Sequence, residues 1–286
     1  MRFTIRHETE YRFSAPVFLE PHCIRLHPRQ DGGNAIGSYI LTVDPEPTTR
    51  SRVLDADGNL ADQLWFAGLH RQLRIITETE VTTGRDNPYD YLPFERAGKV
   101  PLGYSAAERA ALGSCLGGAE QPAVRAYADR FLEQIPAGMA VPQLLSELTA
   151  RLSAEHRTIV RPEGAPYAPE VSLGTRDLSC RDLAVLFVAV CRILGIAARF
   201  VSGYQAGDPE QEHRDLHAWA EVYIPGGGWR GYDPTLGLAI ADEHIAVAAA
   251  ARPEDAAPVS GSFRGTGASA EISSAIELTI GEDNSA

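Results

Sequence analysis

The sequence predicts an α+β protein, with an amino-terminal antiparallel β-sandwich over residues 1–85 followed by a larger mixed region over residues 105–286. Three observations predict it. Period-2 alternation of apolar and polar side chains runs through the first 85 positions, helix-capping signals begin only after residue 104, and strand-like runs return after residue 197. The length agrees, since 286 residues suit two domains at roughly 100–200 residues each.

In the first region Phe3, Ile5, Tyr11 and Phe13 share one parity, while Arg2, Arg6, Glu8, Glu10 and Arg12 share the other. That is the pattern of a half-buried strand. Ile24-Arg25-Leu26, Tyr39 to Val43 and Leu73 to Val81 alternate similarly, and Asp31-Gly32-Gly33-Asn34 and Asp57-Gly58-Asn59 supply turn chemistry between such runs. Short strands with punctuating turns argue for a sandwich. Residues 86–104 hold Pro88, Pro93, Gly98 and Pro101 with little periodicity, so a linker is expected there.

Helical signals follow over 105–156. Ser105-Ala106-Ala107-Glu108 is a capping box opening a helix that Gly113 is expected to close; a second helix is expected from Gln121 to Gln134, and a third from Val141 to Glu155. In that third helix Leu144, Leu145, Leu148 and Leu152 share a face. Ser179-Cys180-Arg181-Asp182 repeats the capping pattern before Leu183, Leu186, Phe187, Val190, Cys191 and Leu194, with Gly195 as the stop. The core expected over 157–250 then carries strand-like runs at Ala198 to Tyr204, His217 to Ile224 and Trp229 to Asp233. After Arg252 the chain is rich in Ala, Gly and Ser, with one strand expected near Ile276 to Ile280.

The formal charge of −12 and pI near 5.1 set up a field that repels polyanions, so neither nucleic acid nor an anionic membrane surface is an expected partner. The first residues lack the apolar stretch of a secretory signal, and no run approaches the ~18 apolar residues of a membrane span. Cys23, Cys115, Cys180 and Cys191 are scattered without a CxxC. A reduced, cytoplasmic protein is the expectation.

The chemistry lies in the order Cys180, His217, Asp233. A thiol at a helix start faces unpaired backbone N–H groups and the positive end of the helix dipole, both of which favour thiolate. His217 within hydrogen-bond reach is the expected base, and Asp233 the acceptor that fixes its tautomer. Taken alone, a cysteine opening an apolar helix is ordinarily a small core residue. Cys23 and Cys191 are expected in that role, and Cys115 has no evident one. His213 and His217 stand four apart, a metal-ligand spacing on a helix, but Arg214-Asp215-Leu216 leads into a strand. Zinc on Cys, His and Asp would need a fourth ligand or water, and the sequence offers none with zinc-finger spacing, so no metal and no cofactor is expected. Asp182 is expected to offset the helix dipole rather than react, Arg181 to face solvent, and Tyr204 and Trp219 to be core.

Strand parity tests the Asp233 assignment. Pairing Ile224 with Trp229 would put Asp233 on the face opposite His217, whereas pairing Tyr223 with Trp229 sets Trp219 across from Asp233 and His217 on the diagonal. The triad requires the second register or a bulge.

Four blocks carry a resemblance to a known family: Cys180-Arg181-Asp182-Leu183-Ala184, Leu194 to Tyr204, Asp215 to Tyr223, and Gly228-Trp229-Arg230-Gly231-Tyr232-Asp233-Pro234-Thr235. They resemble the bacterial transglutaminase-like superfamily of cysteine peptidases, and Tyr11-Arg12-Phe13 and Arg25 to Arg29 look like the small β domain that precedes its catalytic domain. The resemblance implies a papain-like core in which the nucleophile helix packs on an antiparallel sheet, with Cys180 as nucleophile, His217 as base and later acid, and Asp233 as orienter. It implies acyl transfer from a peptide or protein amide to a thiol, then to water or to an amine. A cysteine peptidase or amidase is the expected activity, a true transglutaminase the alternative, and a non-catalytic binding module of the same fold a second alternative. The sequence departs from the family at Ser179, where glycine is usual, and the Cys180 N–H is the one oxyanion donor it suggests.

Overall fold

A computed structural model describes residues 1–118, 121–207 and 214–281. The first region supplies β1 (Arg2–Leu19), β2 (His22–Ile24), β3 (Asn34–Asp44), β4 (Thr49–Leu54), β5 (Leu60–Trp65) and β6 (His70–Thr83). One sheet runs β1-β6-β3 and a second β2-β5-β4, with all pairs antiparallel. The predicted parity is realised: Phe3, Ile5 and Phe13 of β1 and Leu73, Ile75 and Val81 of β6 are buried against Ile24 and Leu64 of the second sheet. Burying each such side chain is worth about 1.5–3 kcal/mol.

The helical region holds α1 (Ala106–Ala111), α2 (Gly113–Leu116), α3 (Pro122–Gln134), α4 (Val141–Glu155), β7 (Arg157–Thr158), α5 (Pro169–Leu173), β8 (Asp177–Leu178) and α6 (Cys180–Ile193). Ser105 and Glu108 form the reciprocal cap expected for α1, with Glu108 N donating to Ser105 Oγ at 3.2 Å and Ser105 N to the Glu108 carboxylate at 2.7 Å. Gly113 opens the short α2 instead of terminating α1. All four predicted leucines of α4 are buried. The stretch read as a linker is strapped to the core. The Tyr104 hydroxyl donates to Tyr223 O and accepts from Ala197 N, both at 2.8 Å, and Phe94 N donates to Pro225 O at 2.9 Å.

A five-stranded antiparallel sheet follows, built from β9 (Ala198–Gln205), β10 (His217–Ile224), β11 (Gly228–Asp233), β12 (Leu238–Ala239) and β13 (His244–Ala250) in the order β12-β11-β10-β9-β13. Leu183, Leu186, Phe187, Val190 and Cys191 of α6 cover one face, meeting Ala220, Val222, Ile224 and Tyr232. The Phe187 and Tyr232 rings stack at 5.9 Å. From the same sheet Tyr204, Ala206, Ile245 and Val247 join the apolar core of the sandwich. Within this sheet Gly203 lets β13 and the Trp219 ring lie close against β9, because a Cβ there would lie 2.1 Å from the Ile245 carbonyl oxygen and 2.5 Å from the Trp219 ring.

Beyond the sheet come β14 (Val259–Ser260), β15 (Phe263–Arg264) and β16 (Ala270–Gly281). β14 pairs with β2, and β15 and β16 both pair with β1. The late strand is thus longer than expected and belongs to the amino-terminal sheet, where it covers what would otherwise be an open backbone edge of β1. Among the described residues no helix is long and apolar enough to cross a membrane.

Candidate active site

Cys180 is the first residue of α6, and its N–H is one of the first-turn donors that a helix cannot satisfy internally. The fold pins this turn through Asp182, which is fully buried. The Asp182 carboxylate accepts from Ser179 N at 2.9 Å, Ser179 Oγ at 2.5 Å, Tyr167 N at 2.7 Å and the Arg161 guanidinium at 2.6 Å. Burial alone would raise its carboxyl, but these donors hold it below the usual carboxylate range. Asp182 therefore does more than the dipole role expected of it: it ties the helix start to the segment 161–167. Arg181, expected to face solvent, is partly buried and donates to the carbonyls of Arg161 and Glu163 at 2.5 and 2.7 Å. Ser179, the departure from the family pattern, uses its hydroxyl on Asp182, a bond glycine could not make.

The register of β10 and β11 pairs Tyr223 with Trp229 across residues 225–227. Alternation sends Ala220 and Tyr232 toward α6 and leaves Trp219 and Asp233 on the other face, with His217 diagonal to Asp233. His217 Nε2 lies 2.6 Å from Asp233 Oδ2, and Asp233 is wholly buried. Asp233 Oδ1 accepts from Thr235 N at 2.8 Å. With Nε2 engaged on the carboxylate, Nδ1 is the ring nitrogen left for Cys180, which lines the same cleft. Burial pushes the His217 imidazole down, but the hydrogen bonds and negative charges of Asp233 and Cys180 outweigh it and hold it at about 10. Burial likewise works to raise Asp233, and its two imidazole neighbours keep it well below the carboxylate range.

The second imidazole belongs to His244, at the start of β13, whose Nε2 lies 3.0 Å from the same Asp233 oxygen. Trp219 packs beside this trio, 6.1 Å from the His217 ring and 5.1 Å from the His244 ring, and is itself buried. Water is thereby kept from the carboxylate. The three ligand-type atoms of His217, Asp233 and His244 lie within 4.8 Å of one another. A tetrahedral zinc with ~2.0 Å bonds would hold its ligand atoms about 3.3 Å apart, longer than the 2.6 Å between His217 and Asp233. The arrangement is that of charge-assisted hydrogen bonds. His213, the other histidine weighed for zinc, lies outside the described residues.

Cys180 and His217 open into one cleft of about 430 Å³, walled by residues 158–162, Gln205, Leu216 and Thr235, with Ser274 of β16 on its rim. Of the four cysteines Cys180 is the partly exposed one; Cys23, Cys115 and Cys191 are buried, and burial pushes their thiols up. Sequence reasoning missed His244 and Ser274. A histidine heading the alanine-rich run from Ile245 to Ala250 repeats the placement of His217 ahead of Ala218, and that is the signal that was available.

Comparison with known proteins places this geometry. Residues 3–82 match the bacterial transglutaminase-like N-terminal region, and residues 143–234 match the transglutaminase-like superfamily core. An uncharacterized protein of Mycobacterium tuberculosis strain H37Rv is 30% identical over 278 residues, covering 91% of this chain and 87% of that protein. A protein-glutamine gamma-glutamyltransferase of Pseudomonas aeruginosa is 34% identical over 129 residues, 41% of this chain and 19% of the relative. Among solved structures, a Cytophaga hutchinsonii protein described as a "Putative Cysteine Protease" superposes with a TM-score of 0.76 at 21% identity, covering 99% of this chain and 92% of that one. With both regions matched and the fold shared from end to end, the chain belongs to the transglutaminase-like superfamily, in the bacterial form that carries its own amino-terminal β region.

Proposed function

We propose that the chain is a thiol-dependent acyl-transfer enzyme, a cysteine peptidase or amidase acting on peptide or glutamine-type amides through Cys180, His217 and Asp233. The observation that carries this reading is the 2.6 Å bond from His217 to a fully buried Asp233, with the same imidazole and Cys180 lining one open cleft. In the proposed reaction the Cys180 sulfur attacks the amide carbonyl carbon while the Cys180 N–H stabilises the developing oxyanion. Collapse breaks the C–N bond, and the proton on His217 passes to the departing amine or ammonia. Neutral His217 then takes a proton from water, which attacks the thioester and frees the acid. His244 and Thr235 N hold Asp233 in place for both halves.

The pH dependence follows in sign. Proton donation by His217 requires the imidazolium, so an acylation rate governed by it falls above about pH 10. Its contribution to folding is complete below the ordinary imidazole value of 6.5 and is lost as the pH rises through about 10. Asp233→Asn removes the charge that raises His217, so the alkaline limb moves to lower pH by about a unit or more. The same variant lowers kcat/KM by about 10²–10⁴-fold. A limb that stays in place in Asp233→Asn removes Asp233 from the mechanism.

A second reading, amine transfer, is favoured by the local identity with the Pseudomonas glutamyltransferase. Ammonia release from glutamine peptides and turnover of a peptide-amide library, each measured with and without a primary amine, separate the two. Acid products undiminished by amine support the hydrolase; amide adducts that displace the acid support the transferase.

A further inference from the structure

Away from the thiol, a cavity of about 300 Å³ lies between the amino-terminal sandwich and the catalytic sheet. Four guanidinium groups line it: Arg29 and Arg85 from the sandwich side, Arg199 of β9 and Arg230 of β11. Only two carboxylates, Asp31 and Glu221, stand among them, so the lining carries an excess of two positive charges in a chain of net charge −12. Both carboxylates are already engaged. Arg85 Nη1 is 3.3 Å from Asp31 Oδ2, and Arg199 Nη2 is 2.6 Å from Glu221 Oε2.

Arg29 and Arg230 have no carboxylate partner among the described residues. Arg29 donates to the Asp57 carbonyl and the Asn59 side chain, and Arg230 Nε donates to Gly227 O at 2.9 Å. Each is burdened by its surroundings: burial first, then repulsion from Arg199 on Arg29 and from Arg85 on Arg230, lowers both from the usual guanidinium value. Like charges converging on a partly enclosed space are costly unless something negative shares it. Stacking keeps the forks in place, with Arg199 over Trp229 at 4.0 Å and Arg230 over Tyr91 at 4.5 Å from the ring centroids. A second, independent feature is the His244 ring, which forms part of the same wall. His244 is 8% exposed, and its Nδ1 is buried without a hydrogen-bond partner, while its Nε2 bonds Asp233.

We propose that this cavity binds a small oxyanion of at least two negative charges, of the phosphate or polycarboxylate type, held chiefly by Arg29 and Arg230, with His244 standing between it and Asp233. A dianion matches the charge excess, and planar guanidinium forks suit bidentate oxyanion contact. Binding is independent of the reaction catalysed. Its relay through His244 to the catalytic histidine rests on the acyl-transfer reading above.

Calorimetric titration of the full chain at low salt with pyrophosphate, inorganic phosphate and citrate tests the site, and their relative affinities separate a phosphate ligand from a polycarboxylate. Saturable 1:1 binding of at least one of them is expected. Arg230→Gln and Arg29→Gln, each confirmed folded by its thermal melt, should each weaken it by about tenfold or more, while Arg12→Gln, on an exposed ion pair of β1, should leave it unchanged. No saturable heat with any of the three anions at millimolar concentration overturns the proposal. Equal weakening by Arg12→Gln also overturns it, because binding would then be diffuse surface electrostatics. The relay is read separately as a change in the rate of Cys180 alkylation by iodoacetamide on saturation, absent in Arg230→Gln. Binding without that change discards the relay and keeps the site.

Discussion

Cys180→Ala is expected to lower amide turnover by at least about 10⁴-fold while moving the melting temperature by no more than about 3 °C. The loss should be nearly complete because, among the described residues, no second thiol lines the cleft, and a hydroxyl is a far weaker nucleophile. Ser179 is adjacent, but its hydroxyl is committed to Asp182 at 2.5 Å. The other three thiols are buried away from the cleft. The small structural effect follows from position, since Cys180 is only partly buried at the edge of a cluster of small side chains that includes Ala184 and Ala218. Ammonia release and the melting curve of the same preparation provide the check. A variant that folds normally and retains turnover within tenfold of the native chain sinks the nucleophile assignment.

Asp182→Ala should be the most damaging single change to the fold, at about 3–5 kcal/mol, or a drop of roughly 10 °C or more in melting temperature. Four donors converge on this carboxylate from Ser179, Tyr167 and Arg161, and alanine would leave Arg161 without its counter-ion and the Ser179 and Tyr167 backbone N–H groups without their acceptor. The damage should extend to function, because Arg161 belongs to the 158–162 wall of the cleft. Asp182→Asn keeps the shape and part of the hydrogen bonding, so it should be distinctly milder. The pH dependence has a definite sign. Since the folded carboxyl is held below its usual value, this stabilisation is present above the ordinary carboxylate range and lost as the pH falls through the lowered one. Denaturant melts of the three forms between pH 3 and 7 measure it; an alanine variant within about 1 kcal/mol of the native chain would contradict it.

Much of this was legible in the sequence for local reasons. Capping residues and strand parity act over a few positions, so Ser105, Glu108, Ser179 and Asp182 announce their helices, and the odd register needed for Asp233 could be written down as a condition before any coordinates. What was not legible depends on pairing between distant parts of the chain. His244 approaches Asp233 because β13 pairs with β9, a strand some forty residues earlier, and nothing in Asp242-Glu243-His244 states that partner. Arg181 looked exposed because it sits between a nucleophile and an acid on a helix start, yet the carbonyls it serves lie in a segment without regular structure. Tyr104 lies in a Pro/Gly-rich stretch whose composition says linker, although its hydroxyl bridges the backbone of β10 to that of Ala197, just ahead of β9. Composition reports what a segment can do alone; tertiary contacts decide what it does.

The strand β16 carries a consequence for how the molecule comes into being. Its twelve residues, Ala270–Gly281, pair with the first dozen residues of β1, joining distant stretches of the sequence in one ladder. Ser274 on that strand reaches the rim of the Cys180 cleft and lies 3.1 Å from the buried His7, which in turn touches Tyr204 of the five-stranded sheet at 3.0 Å. On a ribosome β1 emerges long before β16, so this outer ladder and this corner of the cleft form only after β16 has been made. A chain translated only as far as β13 therefore carries Cys180, His217 and Asp233 without the part of the cleft wall that β16 supplies.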